Sequence, residues 1–168
     1  MTESKGQISS DNCLFDFVSG TVADVLFVTD SYDNKIYISS LSPDDTTIVP
    51  LQLKNLSFPV GVDFDPFEHR VYWTDQNHGF VERAFIDGRN QEIVHMGLSQ
   101  PSGIALDLVG GNVYWISRGN LTVEVSKLDG SFRKLLVSNL SSYPEDIALD
   151  TMRAVSYTHL TLPTNREV

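Results

Sequence analysis

The side chains able to do chemistry in this chain are mostly carboxylates. Asp63, Asp65, Asp107, Asp146 and Asp150 fall within three short segments of similar wording. Where a fold gathers them, such groups ligate hard cations through oxygen. Each also suits the start of a turn, where a carboxylate accepts nearby backbone N–H groups. His69, His78 and His95 are scattered and share no metal-ligand spacing. There is no Ser nucleophile elbow, no His-Glu-x-x-His and no phosphate loop. We therefore read the chain as a non-enzyme with no catalytic residue, cofactor or metal site. Three Asn-x-Ser/Thr sequons begin at Asn55, Asn120 and Asn139 and are glycosylation candidates. Nine asparagines in a Ser/Thr-rich chain would yield about two sequons by accident, which limits their weight.

The carboxylate segments belong to a repeat. Val71-Tyr72-Trp73-Thr74-Asp75 returns 42 positions later as Val113-Tyr114-Trp115-Ile116-Ser117. It is foreshadowed 45 positions earlier by Leu26-Phe27-Val28-Thr29-Asp30. Pro59-Val60-Gly61-Val62-Asp63-Phe64-Asp65 recurs as Pro101-Ser102-Gly103-Ile104-Ala105-Leu106-Asp107 and as Pro144-Glu145-Asp146-Ile147-Ala148-Leu149-Asp150. Ile86-Asp87-Gly88 is matched by Leu128-Asp129-Gly130. A period of roughly 40–50 residues is that of β-propeller blades.

These residues resemble the YWTD repeat, also called the low-density-lipoprotein-receptor class B repeat, over about residues 23–153. In that family six repeats close into a six-bladed propeller, found in lipoprotein receptors, nidogens and some receptor kinases. The resemblance implies an all-β fold of about three blades, four antiparallel strands each, in an incomplete ring. It makes Phe27, Thr29, Asp30, Tyr72, Trp73, Thr74, Asp75, Tyr114 and Trp115 structural, with Asp65, Asp107 and Asp150 starting turns. Gly61 and Gly103 read as close-approach positions on inner strands. Tyr72 and Trp73 point to opposite faces of one strand. Each can fill the wedge between blades, burying on the order of 150–250 Å². Asp30 and Asp75 are expected to accept backbone N–H bonds that tie blades together. Ile116 and Ser117 depart from the motif, so that bond should be missing in the third unit. Lipoprotein receptors use loop histidines to release ligand at endosomal pH, a role open to His78 beside the plainer one of a solvated loop histidine. The NHL repeat, which fits residues 26–41 almost as well, would imply an intracellular scaffold. Six-bladed lactonases hold a channel calcium with carboxylates, which leaves a calcium-dependent enzyme as a further alternative.

Composition bounds the partners. At 168 residues, 41% hydrophobic and 20% charged, the chain has the make-up of one globular domain. A net charge of −10 argues against nucleic acid and anionic membranes and favours a basic protein ligand. Cys13 is the single cysteine, so it either pairs outside the chain or packs as an apolar residue. Residues 1–10 are polar and lack the apolar core of a signal peptide. No run of about 18 apolar residues is present, so no membrane contact is expected of this segment.

The pattern predicts strands at 14–18, 25–28, 35–38 and 46–49, with Pro50 limiting further pairing. It continues with 60–64, 70–74, 81–86 and 91–94, then 102–106, 112–116, 122–128 and 132–137. Residues 1–22 read as a leader or the end of a preceding segment. After Asp150 the fourth unit fails, with Thr158-His159-Leu160 where Trp-Thr-Asp is expected. Residues 154–168 resemble a read-through tail foreign to the fold.

The expected function is that of an extracellular ligand-binding module in a lipoprotein-receptor-like endocytic or signalling receptor. Its parent chain would supply the remaining blades and EGF-like modules. Contacts would come from loops on one propeller face, at Ser31 and Tyr32, at Gln76, Asn77 and His78, and at Arg118 and Asn120. Three blades of six leave apolar blade faces in water. Expressed alone, the chain should self-associate, and a sharp monodisperse monomer in sedimentation would contradict that.

Overall fold

The computed structural model describes residues 25–41 and 47–150. Among these residues it is all-β, with a single 3-10 turn at Arg118–Asn120. Blade 1 comprises β1 (Val25–Asp30), β2 (Lys35–Ser40) and β3 (Ile48–Pro50). Blade 2 comprises β4 (Pro59–Asp65), β5 (Arg70–Asp75), β6 (Phe80–Phe85) and β7 (Glu92–His95). Blade 3 comprises β8 (Pro101–Asp107), β9 (Asn112–Ser117), β10 (Thr122–Lys127) and β11 (Lys134–Val137). Every pairing is antiparallel between neighbours in sequence, and the ring is not closed. Valine, tyrosine and tryptophan fill β5 and β9, types whose side chains pack well on a pleated surface.

The two wedges between blades hold the core. Ile36, Val71, Trp73 and Ala84 pack together between blades 1 and 2, with Phe27 and Phe64 against them. Tyr72, Val81, Leu98, Ile104, Leu106, Val113 and Trp115 do the same between blades 2 and 3. Alternation along β5 therefore sends Trp73 into one wedge and Tyr72 into the next. Both are fully buried.

Glycine sets how closely the blades approach. A Cβ on Gly61 would lie 2.5 Å from the Ser102 carbonyl oxygen, and one on Gly103 would lie 2.7 Å from Asp146 Cα. At the Asp-Gly turn, Gly88 has φ +83 and its N–H donates to the Phe85 carbonyl at 2.7 Å. A Cβ there would stand 2.3 Å from the Gln52 carbonyl in the linker after blade 1, so backbone conformation and space both demand glycine.

Threonine, not aspartate, carries the bond that crosses between blades at the motif. The Thr29 hydroxyl donates to the Val60 carbonyl at 2.8 Å, and the Thr74 hydroxyl donates to the Ser102 carbonyl at 2.5 Å. Thr74 Oγ1 also accepts the Gly61 N–H at 2.9 Å, so it relays one inner strand to the next. Asp75, fully buried, instead accepts Ser57 N–H at 2.6 Å and His78 N–H at 3.0 Å. It clasps the linker entering its own blade and its own turn. Asp30 likewise accepts from Tyr32 and Asp33 within its turn. The strand ends at these aspartates, so their short side chains reach local N–H groups before any on the next blade. In blade 3 Ile116 has no hydroxyl, and the Gly103 N–H donates directly to the Glu145 carbonyl at 3.0 Å.

Other differences from the sequence pattern are local. The first blade shows three strands, because the segment 14–18 lies outside the described residues, as does Thr46. Pro50 pairs with Tyr37, and Leu51 N–H still reaches the Ile36 carbonyl at 2.8 Å, since an edge proline needs no donor. Glu82, on the polar side of the expected alternation, is buried where it accepts from Trp73 Nε1 at 3.2 Å. Residues 146–150 form no assigned strand, although Glu145 already takes the place of an inner-strand neighbour.

Two stability measurements follow from this packing. Thr74→Val leaves the Gly61 N–H and Ser102 carbonyl unpaired, with an expected loss of about 1–3 kcal/mol in denaturant unfolding. Ile116→Val, at the equivalent place, removes only a methylene and should cost about 0.5–1.5 kcal/mol. His95 lies against Ser126 Oγ at 2.8 Å and stacks on Trp115 at 4.5 Å, facing Arg133 and Glu124. Burial pushes its pKa down, with Arg133 adding to the shift. The folded state therefore prefers the neutral ring, and stability is lost as pH falls below the ordinary histidine value near about 6.5. His95→Gln should remove that portion of the acid sensitivity of the thermal midpoint.

Candidate ligand-binding face

Antiparallel pairing places particular loops together. Pro59 pairs with Asp75, and Pro101 pairs with Ser117, so each inner strand begins where the second strand ends. The turns after β1, β5 and β9 therefore share one face with the linkers that enter blades 2 and 3. The turns after β4 and β8 lie on the opposite face.

The structure brings the seven candidate residues to this face but engages them unequally. Tyr32 is 95% exposed, and Asn77 and Asn120 are exposed at their turn tips. Ser31 donates its hydroxyl to the Pro59 carbonyl and serves blade packing. Gln76 holds its turn through a backbone bond to the Phe58 carbonyl at 3.0 Å. His78 Nδ1 lies 3.2 Å from Asp75 Oδ2, and its ring stacks on Phe80 at 5.4 Å. Arg118 pairs with Glu145 at 3.0 Å and lies over the Tyr143 ring at 5.3 Å.

A groove of about 510 Å³ runs beside the second turn, lined by Asn55, Leu56, Ser57, His78, Phe80, Glu82, Gln91 and Ile93. Glu82 is the one carboxylate in its lining. Burial pushes the Glu82 pKa up, against hydrogen bonds from Gln91 and Trp73 that favour the carboxylate. Burial does the same to Asp63, which accepts the Leu106 N–H of blade 3 at 2.7 Å.

The carboxylates that could have been cation ligands are engaged with backbone instead. Asp65 accepts from Phe67 and Glu68, Asp107 from Gly110, and Asp146 from Ile147. Among the described residues, no three His, Cys, Asp or Glu side chains gather to hold a metal ion. No helix among them is long and apolar enough to cross a membrane. Cys13 lies outside the described residues.

Sequence reasoning missed Tyr143 and Glu145 as partners of Arg118, and Phe58 beside Asn34. The repeat offset could have found them. Each precedes or opens an inner strand, and such positions meet the preceding blade's turn.

No protein-family model matches the chain. A stretch of 51 residues, 30% of the chain, is 43% identical to low-density lipoprotein receptor-related protein 5 of Homo sapiens. The same protein of Mus musculus matches to the same extent. The chain spans about 3% of the length of these relatives. The crystal structure of a nidogen/laminin complex superposes with a TM-score of 0.72 at 28% identity, over 78% of this chain and 50% of that one. The described blades are YWTD β-propeller blades. A catalytically inactive virginiamycin B lyase from Staphylococcus aureus, solved with quinupristin, superposes at TM-score 0.59 and 20% identity over 75% of this chain and 43% of that one. A streptogramin B lyase does so at 0.59 and 16%, over 73% and 40%. At these identities the two lyases share the fold alone.

The buried carboxylates give the YWTD blades a pH signature. A carboxyl group raised in the folded state favours folding when protonated, so stability falls as pH rises above the ordinary carboxylate value near about 4. Glu82→Gln should flatten that part of the unfolding profile as pH rises above about 4, with Asp63 sustaining the remainder. An unchanged slope would show that Glu82 stays ionised at no cost.

Proposed function

We propose that this YWTD segment, residues 23–153, is a protein-binding module of an extracellular, lipoprotein-receptor-like endocytic or signalling receptor. The observation that carries the reading is the set of three turn tips on one face. Tyr32, Asn77 and Asn120 project there without being needed for blade packing. A solved relative is in complex with laminin, which supports a protein ligand. The sequence likeness to a receptor-related protein supports the receptor context, with further blades and EGF-like modules supplied by the parent chain. The net charge of −10 favours a basic partner, because its approach would be electrostatically steered. Catalysis has no part in the proposal.

The opposite face offers a rival surface. Phe67 and Val109, equivalent turn residues of blades 2 and 3, are 81% and 74% exposed there. A photocrosslinking residue placed at Tyr32, Asn77 or Phe67 of the chain, expressed at the surface of cultured cells, separates the two. Adducts with extracellular proteins are expected from Tyr32 and Asn77 and should weaken with added salt. Adducts from Phe67 alone would overturn the assignment of the face.

A further inference from the structure

The three sequons converge on the binding face, where Asn120 is itself one of the exposed turn tips. Asn55 and Asn139 occupy the same place in the linkers before blade 2 and before residue 144, and Asn120 closes the 3-10 turn of blade 3. Leu140 N–H bonds to the Leu121 carbonyl at 3.3 Å, which brings the last two sequons side by side. All three asparagines are exposed.

Their amides are also free. Asn34 binds Phe58 N–H, Asn77 binds Ser57 and Asn112 binds Asp107. Asn55, Asn120 and Asn139 have no such side-chain bond among the described residues. Backbone conformation explains part of their presence. Asn55 and Asn139 have φ of 54 and 58, and Gly97 stands in the same repeat position at φ 71. Asparagine and glycine tolerate that left-handed region, so the fold alone could select them there. Asn120 has no such reason, because its neighbour Leu121 takes the left-handed conformation instead.

We infer that Asn55, Asn120 and Asn139 carry N-linked glycans. This rests on the extracellular reading, since the modification belongs to the secretory route. In the transfer, the asparagine Nδ2 attacks the anomeric carbon of a polyprenyl-diphosphate-linked oligosaccharide. A C–N bond forms, the C–O bond to the diphosphate breaks, and Nδ2 gives up one proton to a base. The polyprenyl diphosphate leaves with the electron pair. Carbohydrate on Asn55 would stand over the groove lined by His78 and Phe80. On Asn120 it would project from the third turn, so that contact there includes carbohydrate. The turns at Tyr32 and Asn77 carry no sequon of their own and stay available to protein.

The test is the full chain produced behind a secretory leader in mammalian cells. Mass is read before and after peptide-N-glycosidase, in secreted and retained fractions alike, because the transfer precedes folding. Three conversions of Asn to Asp are expected, at 55, 120 and 139. Asn55→Gly and Asn139→Gly keep the left-handed backbone and should each remove one glycan, as should Asn120→Gln. A leader-directed chain of unchanged mass overturns the glycan assignment and leaves the receptor reading standing. A modified leader-directed chain whose native counterpart fractionates with the cytosol, unmodified, overturns both.

Discussion

The arc depends on how closely one inner strand can lie against the next. At Gly61 the backbone of blade 2 comes so near the Ser102 carbonyl that a methyl group would collide with it. That proximity lets a single hydroxyl, Thr74 Oγ1, accept from Gly61 and donate to Ser102. Hydrogen bonds of this kind are worth little net, but leaving their buried ends unmade is costly. Without the glycine the strands would separate, and the tryptophan behind them would lose its wedge. Side-chain bonds from Asp63 to Leu106 and from Arg83 to Leu128, at 2.7 Å each, brace the same interface.

The third blade shows what changes when the motif drifts. Replacing Thr by Ile at 116 removes the relay, and the Gly103 N–H reaches the next carbonyl unaided. Replacing Gln91 by Arg133 at the equivalent place has a second effect. The guanidinium takes both oxygens of Glu124, at 2.7 and 3.2 Å. In blade 2 the matching Glu82 is left to accept from Trp73, whereas Trp115 Nε1 is buried with no hydrogen-bond partner. In blade 3 the carboxylate is thus taken by Arg133 and by the Ser117 hydroxyl, and the indole goes without a partner. Arg133 lies over the Trp115 ring at 5.5 Å, a cation–π contact that offsets part of the loss.

Most of the fold was legible in the residues. The repeat of the aromatic motif, with Pro-x-Gly before it and Asp-Gly after, located the eleven strands of the described residues to within a few residues. Errors came where a polar side chain finds its partner inside its own blade, on the adjacent strand or on the entering linker. Glu82 reads as a solvent-facing position, but its partner is the buried indole of Trp73 across the sheet. Asp75 reads as an inter-blade tie, but it lies nearer the linker before its own inner strand. The face was legible only as a set of loops. That Ser31 ties blade 1 to blade 2 and Gln76 holds its own turn, while Tyr32 stands almost fully exposed, depends on distances no spacing encodes.

The sequence by itself determined the blade: strand order, turn chemistry, and the alternation that sends Tyr72 and Trp73 to opposite wedges. Those are local properties, written in a period of two along strands and in glycines at turns. Only the tertiary structure decided which polar groups cross from blade to blade and which asparagines are left with free amides. Such pairings join residues some 28 to 45 positions apart. Their geometry exists only once the wedges have closed around the buried aromatics.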